Sequence, residues 1–281
     1  VTSSLRPLKE GFTTEKGYPP DMFVSSERAL ELTDYNTLVM VVDVNRPSHT
    51  ECPGLLKRTD SIVVFDHHRQ SSEVISNPVL SYIEPYASST CEMVAEVLQY
   101  FTENIKLAPH EADCIYAGIL IDTSNFMTKT GVRTFEAAAY LKRCGAEVTR
   151  VRKMLRNDMD AYKARAEVVR HAEVYRGAFA ISICPADKIE SPTIVGAQAA
   201  DELLNIVGIK ASFVLTEYQG KIYVSSRSID EINVQKIMER LGGGGHLNMA
   251  GCQLRDCTVS QAQRIIEDTI DEMLEEGDIE E

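Results

Sequence analysis

The most chemically suggestive residues of this chain are an acid and two histidines that directly follow an apolar run. Asp66, His67 and His68 come after Ile62–Phe65, a run rich in β-branched residues that is typical of a strand buried on both faces. Ligands of open parallel sheets gather outside the carboxyl ends of the strands. Carboxylate and imidazole together suit Mn, Fe or Zn better than Ca. The motif therefore indicates a metal site, with a solvated strand end as the alternative.

Two further acids end apolar segments in the same way. Asp43 follows the strand predicted at Thr37–Val42, so its carboxylate should reach the same sheet edge as Asp66. Asp122 follows the apolar residues 117–121. A carboxylate can bridge two metal ions, and such ions can clamp the attacking and leaving oxygens of a phosphoryl transfer. Each acid alone could be an ordinary cap or turn residue, but their shared position favours a metal centre.

A run of four glycines and a histidine is a second candidate site. Gly242–Gly245 and His246 follow the helix predicted at Val234–Leu241. Glycine lets backbone N–H groups approach a phosphate closely, and the histidine adds a donor or a charge. Arg227, at the end of a predicted hairpin strand, could contact a phosphate or stack on a base. A flexible helix end and an ordinary exposed arginine are the alternatives.

Three more polar residues lie near these motifs. Ser88 and Ser89 precede a predicted helix, so their hydroxyl groups could cap that helix or receive an anion. Arg69 comes directly after the histidine pair and could support it or contact a phosphate. None of the three is specific when taken alone.

Composition limits the class of protein. The chain has 281 residues, of which 44% are hydrophobic and 25% charged, values typical of a soluble protein with room for two domains. Its net charge of −13 argues against a basic groove for long nucleic acid, although a bound metal could attract a small phosphorylated ligand. Seven cysteines without a Cys-x-x-Cys pair indicate a reducing compartment. The sequence has neither a signal-peptide pattern nor an apolar stretch near the ~20 residues that span a bilayer.

Hydrophobic periodicity predicts an α/β fold with a parallel sheet in the first domain and a smaller α/β domain after it, joined by a long helix. Residues 1–22 are expected to be irregular. The predicted helices of the first domain are Ser26–Leu32, Ser89–Phe101, Pro109–Ile121 and Val132–Cys144. The predicted domain bounds are 1–148, a solvated linker helix at 149–174, and 175–276.

In the second domain, the pattern predicts three strands and three helices. Gln219 and Gly220 are expected to form the turn of a hairpin. The predicted elements are a strand at Ala178–Cys184, a helix opening at Ser191-Pro192, the hairpin strands Ala211–Tyr218 and Lys221–Ser226, and helices at Val234–Leu241 and Ser260–Glu275.

These motifs share their order and spacing with a known family over nearly the whole chain. Val42-Asp43, Asp66-His67-His68, Asp122 and Gly243-Gly244-Gly245-His246 resemble the DHH superfamily of phosphoesterases with its DHH-associated substrate-binding domain. Within that superfamily, residues 85–90, 199–204 and 231–235 are similar to the catalytic part of the membrane-anchored cyclic-di-AMP phosphodiesterases.

The resemblance implies Mn²⁺-dependent hydrolysis of cyclic di-AMP to pApA by a cytoplasmic domain whose parent protein is anchored in the membrane. A short adenylate-bearing phosphodiester is the expected ligand and a homodimer a possible assembly. The family site holds two metal ions. The residues it implies are Asp43, His67 and Asp122 as metal ligands, His68 as a catalytic residue, and Arg227, Gly243, Gly244, Gly245 and His246 as substrate-binding residues. Their positions in the sequence add Arg69 as a candidate catalytic residue, and Ser88 and Ser89 as candidate substrate-binding residues.

One departure from the family pattern concerns its first motif, a His-x-Asp-x-Asp on a strand before Asp43. Residues 1–42 contain no histidine, and Asp21 and Asp34 stand alone. We therefore expect an N-terminally truncated piece of an enzyme that holds fewer than two metal ions. The alternatives are an oligoribonuclease or 3′-phosphoadenosine phosphatase of the same superfamily, and a nucleotide-binding module without catalysis.

Overall fold

The computed structural model divides into two compact units, residues 1–156 and 157–281. Among the described residues, no helix combines the length and the apolar character that crossing a membrane requires. The structure describes residues 5–14, 17–70, 72–101, 106–156, 158–187, 189–229 and 231–279.

The sheet of the first unit contains three parallel strands in the order β1-β2-β3. The central strand is the most buried, as its run of β-branched and aromatic residues predicts. The strands are β1 (Val39–Val42), β2 (Ile62–Asp66) and β3 (Leu80–Ile83). The third strand was not predicted, because it is short and lacks fully buried residues.

The described residues of the first unit form six α-helices, and four of them match the predicted helices within a residue or two. Ser25 caps the second helix by accepting a hydrogen bond from the amide of Arg28 at 3.2 Å. The helices are α1 (Arg6–Thr14), α2 (Ser26–Leu32), α3 (Thr90–Phe101), α4 (Pro109–Asp122), α5 (Val132–Arg143) and α6 (Val148–Met154).

The prediction of an irregular N-terminus was wrong for the residues that form α1. Within this helix, the carbonyl of Leu8 lies 3.0 Å from Nε2 of His110 on α4. A Cβ atom at Gly11 would lie only 2.0 Å from the His110 ring. Gly11, which suggested a loop in the sequence, therefore serves the close approach of two helices.

The second unit is built on a sheet with the order β4-β5-β6-β7-β9-β8, in which β5 and β6 are parallel and the other pairs antiparallel. The predicted turn joins β6 and β7, and Gln219 and Gly220 both have positive φ angles. The strands are β4 (Glu173–Tyr175), β5 (Phe179–Cys184), β6 (Ala211–Tyr218), β7 (Lys221–Ser228), β8 (Gly244–His246) and β9 (Met249–Leu254). The helices are α7 (Met159–Arg170), α8 (Pro192–Leu203), α9 (Val234–Arg240) and α10 (Val259–Glu275).

The expected long linker helix at 149–174 is not continuous. α6 ends at Met154 in the first unit, and α7 begins at Met159 in the second. The Asp158 carboxylate accepts a hydrogen bond from the amide of Ala161 at 2.8 Å and so caps a new helix. The segment lacks glycine and proline, which would have indicated a helix end, so the sequence did not predict that a new helix begins within this polar run.

The last two glycines of the run, Gly244 and Gly245, begin an edge strand rather than a flexible loop. β8 pairs with β9, and its glycines allow the two backbones to approach closely. A Cβ atom at Gly243 would lie 2.2 Å from the carbonyl oxygen of Gly251. Gly245 has a φ of 151°, and a Cβ atom there would lie 2.4 Å from the Met249 carbonyl oxygen. By contrast, a Cβ atom at Gly244 would meet open space.

This difference predicts unequal effects of alanine along β8. Gly245→Ala should destabilise the second unit by about 1–3 kcal/mol, because the methyl group meets backbone in a conformation that favours glycine. Gly244→Ala is the matched control and should change the free energy of unfolding by no more than about 0.5 kcal/mol. Urea unfolding followed by circular dichroism measures both, and equal midpoints would contradict the argument.

Candidate metal site

The candidate site lies where β1 and β2 end. Asp66 is the last residue of β2, and Asp43 directly follows β1. The amide of Asp43 donates to the carbonyl of Phe65 at 2.9 Å, which continues the parallel pairing by one residue. Both acids therefore emerge at one edge of the sheet, as the sequence predicts.

The three predicted metal ligands meet around one imidazole nitrogen. Nε2 of His67 lies 3.6 Å from Oδ1 of Asp43 and 3.9 Å from Oδ2 of Asp122. Ligand atoms of Asp43, His67 and His68 all lie within 4.8 Å of one another. Nδ1 of His67 is 3.4 Å from the carbonyl of Ala87. Because a carbonyl only accepts, a hydrogen bond at this contact requires the proton on Nδ1, and that tautomer leaves Nε2 free to bind a metal.

The backbone and a buried threonine together fix Asp43. Its φ angle is 66°, an uncommon value for a residue other than glycine. The Thr90 hydroxyl, at the start of α3, donates to Oδ1 of Asp43 at 2.9 Å. Thr90 is buried, whereas the Asp43 side chain is 56% exposed. The sequence indicates Thr90 only as part of the polar Ser88-Ser89-Thr90 start of α3, and its hydrogen bond to Asp43 was not predicted.

Asp66 faces the protein interior and holds the histidine loop. Its carboxylate is fully buried and accepts hydrogen bonds from the His68 amide at 3.1 Å and from Nδ1 of His68 at 2.7 Å. Nδ2 of Asn45 donates to the other oxygen at 2.6 Å and to the His68 carbonyl at 3.2 Å. Asn45, which sequence reasoning also missed, thus helps to orient His68.

The electrostatics of the site favour bound positive charge. The hydrogen bond that Nδ1 of His68 donates to Asp66 raises the pKa of His68, and the charges of Asp43 and Asp122 add to this effect. Burial raises the pKa of Asp122, and the negative charge of Asp43 raises it further. Carboxylates that repel one another in a partly buried site are stabilised by a cation. The donor set of one imidazole nitrogen with carboxylate oxygens therefore fits a divalent transition metal.

The two serines at the start of α3 make structural hydrogen bonds. Both are buried. The Ser88 hydroxyl donates to the Glu92 carboxylate, and the Ser89 hydroxyl accepts from the Glu92 amide at 3.0 Å. These contacts satisfy groups at a helix N-terminus. Arg69 is exposed after the histidine pair. The roles of these three residues in catalysis or substrate binding stay predictions.

In the second unit, two predicted substrate-binding residues share one row of the sheet. Arg227 on β7 pairs with Met249 on β9, and Met249 pairs with His246 on β8. Directly opposed residues of an antiparallel sheet project from the same face. Nε of Arg227 donates to Oδ1 of Asp201 at 2.7 Å, which holds the guanidinium in place.

Two family models match the chain, one in each unit. Residues 3–119 match the DHH family, N-terminal domain, and residues 179–276 match the DHHA1 domain. Together the matches cover most of the sequence, so the chain contains a DHH domain followed by a DHHA1 domain. The resemblance identified from the motifs is confirmed.

Characterised relatives and a solved structure agree with this assignment. The chain is 44% identical over 255 residues to the cyclic-di-AMP phosphodiesterase GdpP of Geobacillus thermodenitrificans, covering 90% of this chain and 39% of that protein. It is 42% identical over 249 residues to the cyclic-di-AMP phosphodiesterase PdeA of Listeria monocytogenes, covering 88% of this chain and 38% of that protein. The chain thus spans about two fifths of the length of these relatives. An exopolyphosphatase-related protein from Bacteroides fragilis shares the fold, with a TM-score of 0.81 at 18% identity over 97% of this chain and 80% of that chain.

The buried acid predicts a measurable change in His68. Asp66→Asn should lower the pKa of His68 towards the ordinary value of about 6.5, because the neutral amide no longer stabilises the imidazolium. Since the folded-state pKa of His68 is raised, its contribution to stability is fully present below about pH 6.5 and is lost as the pH rises through the folded-state pKa.

An NMR titration of the metal-free protein measures this pKa. Glu73→Gln is the control, because Glu73 is hydrogen-bonded to Ser48 rather than to the histidine pair. An unchanged pKa of His68 in Asp66→Asn would refute the assigned hydrogen bond.

Proposed function

We propose that this chain is a metal-dependent phosphodiesterase that hydrolyses cyclic di-AMP to pApA. The observation that carries the proposal is the meeting of Asp43, His67 and Asp122 around one imidazole nitrogen at the carboxyl edge of a parallel sheet. Two relatives with more than 40% identity are named as cyclic-di-AMP phosphodiesterases. Family and site thus support the same chemistry.

The proposed metal ligands are His67 through Nε2, and Asp43 and Asp122 through their carboxylates. Mn²⁺ suits this mixed set of nitrogen and oxygen donors. A bound divalent ion would supply charge stabilisation at phosphorus and lower the pKa of a water molecule. The contact between Nδ1 of His67 and the Ala87 carbonyl would favour the tautomer that leaves Nε2 unprotonated and able to bind the metal.

His68 is proposed to contact the phosphate. Nδ1 of this residue donates to Asp66, so protonation places the second proton on Nε2. The raised pKa favours this charged form, which makes a stronger hydrogen bond to a phosphate oxygen than the neutral form does. Arg69, next along the chain, would add a second cationic contact.

The second unit is proposed to bind the nucleotide. Arg227 and His246 project from one face of its sheet and offer positively charged or hydrogen-bonding groups to phosphates and bases. A Cβ atom at Gly244 would meet open space, which leaves room for a ligand near the β8 backbone. Ser88 and Ser89 are proposed to contact the substrate from the start of α3. Gly243 and Gly245 are proposed to support binding indirectly, because their lack of a side chain lets the backbone at β8 lie close to β9.

A comparison of three substrates tests the reaction. With Mn²⁺, cyclic di-AMP should be cleaved faster than pApA or 3′-phosphoadenosine, and pApA should accumulate as the product. Chromatography of timed reactions separates these nucleotides. Faster cleavage of pApA would favour the oligoribonuclease and 3′-phosphoadenosine phosphatase activities. Tight binding of cyclic di-AMP without turnover would favour a nucleotide-binding module.

A substitution at the central ligand tests the site. His67→Ala should reduce kcat/KM for cyclic di-AMP at least ~100-fold, because the imidazole that gathers both acids is lost. His49→Ala is the control, since His49 is an exposed histidine of the same unit outside the cluster. Initial rates at saturating Mn²⁺ provide the measurement. Equal rates for the two variants would place the reaction elsewhere.

A further inference from the structure

We infer that Thr90 is a positioning residue that orients the Asp43 carboxylate for metal binding. The inference rests on the proposed metal site and gives Thr90, one of the polar residues at the start of α3, a role towards Asp43 that neither the motifs nor the family match assigns. Its basis is the 2.9 Å hydrogen bond from the Thr90 hydroxyl to Oδ1 of Asp43. That same oxygen lies 3.6 Å from Nε2 of His67, so the bonded atom belongs to the cluster itself.

The backbone of Asp43 is fixed, but its side chain needs a separate restraint. The hydrogen bond from the Asp43 amide to the Phe65 carbonyl holds the main chain in the left-handed conformation. The side chain is 56% exposed, so packing alone restricts its rotamers little. A carboxylate that samples several rotamers would lose conformational entropy on binding a metal, and this loss would weaken the metal affinity. A hydrogen bond from a rigid donor removes part of that cost in advance.

Thr90 is a suitable donor because its own position is determined. It is 5% exposed, begins α3, and carries a β-branched side chain with few allowed rotamers. Ser88 and Ser89 make the hydrogen bonds to Glu92 at this helix start. The hydroxyl of Thr90 is directed instead to Asp43, and the positive end of the α3 dipole favours a carboxylate nearby.

The hydrogen bond leaves Asp43 able to bind metal. A carboxylate offers about four lone-pair sites on its two oxygens, and Thr90 uses one of them. Partners that hydrogen-bond to a ligating carboxylate orient it and typically change metal affinity 10–100-fold when removed. We therefore assign Thr90 the role of orienting the Asp43 carboxylate, and we expect other residues to contact the metal and the substrate directly.

Metal titration of three variants tests this role without reference to turnover. Thr90→Val keeps the shape of the side chain but removes the hydroxyl, and should weaken Mn²⁺ binding roughly 10–100-fold. Thr90→Ser keeps the hydroxyl and should remain within about 3-fold of the parent chain. Isothermal titration calorimetry, with electron paramagnetic resonance of free Mn²⁺ as a second method, measures the dissociation constants.

Thr59→Val is the matched control for the loss of a buried hydroxyl. Thr59 is buried in the same unit and donates to the Thr37 carbonyl at 2.7 Å, near the opposite ends of β1 and β2. This variant should lower thermal stability but leave Mn²⁺ affinity unchanged. If Thr90→Val fails to fold, Thr90→Ala replaces it, and the comparison with Thr90→Ser again isolates the hydroxyl.

Each outcome decides a stated claim. Unchanged affinity in Thr90→Val, or equal weakening in Thr90→Val and Thr90→Ser, overturns the role of the hydroxyl while the metal site stands. If Thr59→Val weakened Mn²⁺ binding by the same factor as Thr90→Val, general destabilisation would explain both results, and the inference would be overturned. Absence of Mn²⁺ binding in the parent chain overturns the proposed metal site and the role of Thr90 with it.

Discussion

The candidate site depends on the parallel pairing of β1 with β2. In this register Val42 lies beside Phe65, and the amide of Asp43 extends the ladder to the Phe65 carbonyl. Asp43 and Asp66 therefore leave the sheet side by side although they are far apart in sequence. A shift of one residue would turn the side chains of a strand to the opposite face and bury the wrong set. The apolar residues of β2 thus determine where the acids lie, because their burial selects the register.

Asp66 extends this constraint from the sheet to the histidines. A buried carboxylate is costly unless hydrogen bonds compensate for its lost hydration. Asn45 and His68 provide those bonds, so the stability of the strand end and the orientation of the second histidine are coupled. His67 is held independently through the Ala87 carbonyl. The adjacent imidazoles consequently have separate partners, which allows one to bind metal while the other remains protonated.

The sequence predicted the elements whose signals are local. Ser25 was a recognisable helix cap, and Gln219-Gly220 a recognisable hairpin turn. β8 escaped prediction because glycine has low β propensity and its place depends on close contact with β9. The contacts of Asn45 with Asp66 and of Thr90 with Asp43 were not predicted for a related reason: these partners lie 21 and 47 residues away, and only the folded chain brings them together. The motifs thus indicated the acids and histidines, whereas the groups that orient them could be identified only from the folded structure.

The distribution of charge explains how an acidic protein can accommodate an anionic substrate. The metal site concentrates carboxylates, and their mutual repulsion is relieved when a cation binds. Arg227 in the second unit is already paired with Asp201, whose own pKa is raised by burial despite that pairing. A substrate phosphate would compete with Asp201 for a guanidinium that is already oriented, so little ordering entropy would be lost. In the proposed function, favourable charge would come from a bound metal and a few fixed side chains, so the net charge of −13 is compatible with binding of a small dinucleotide.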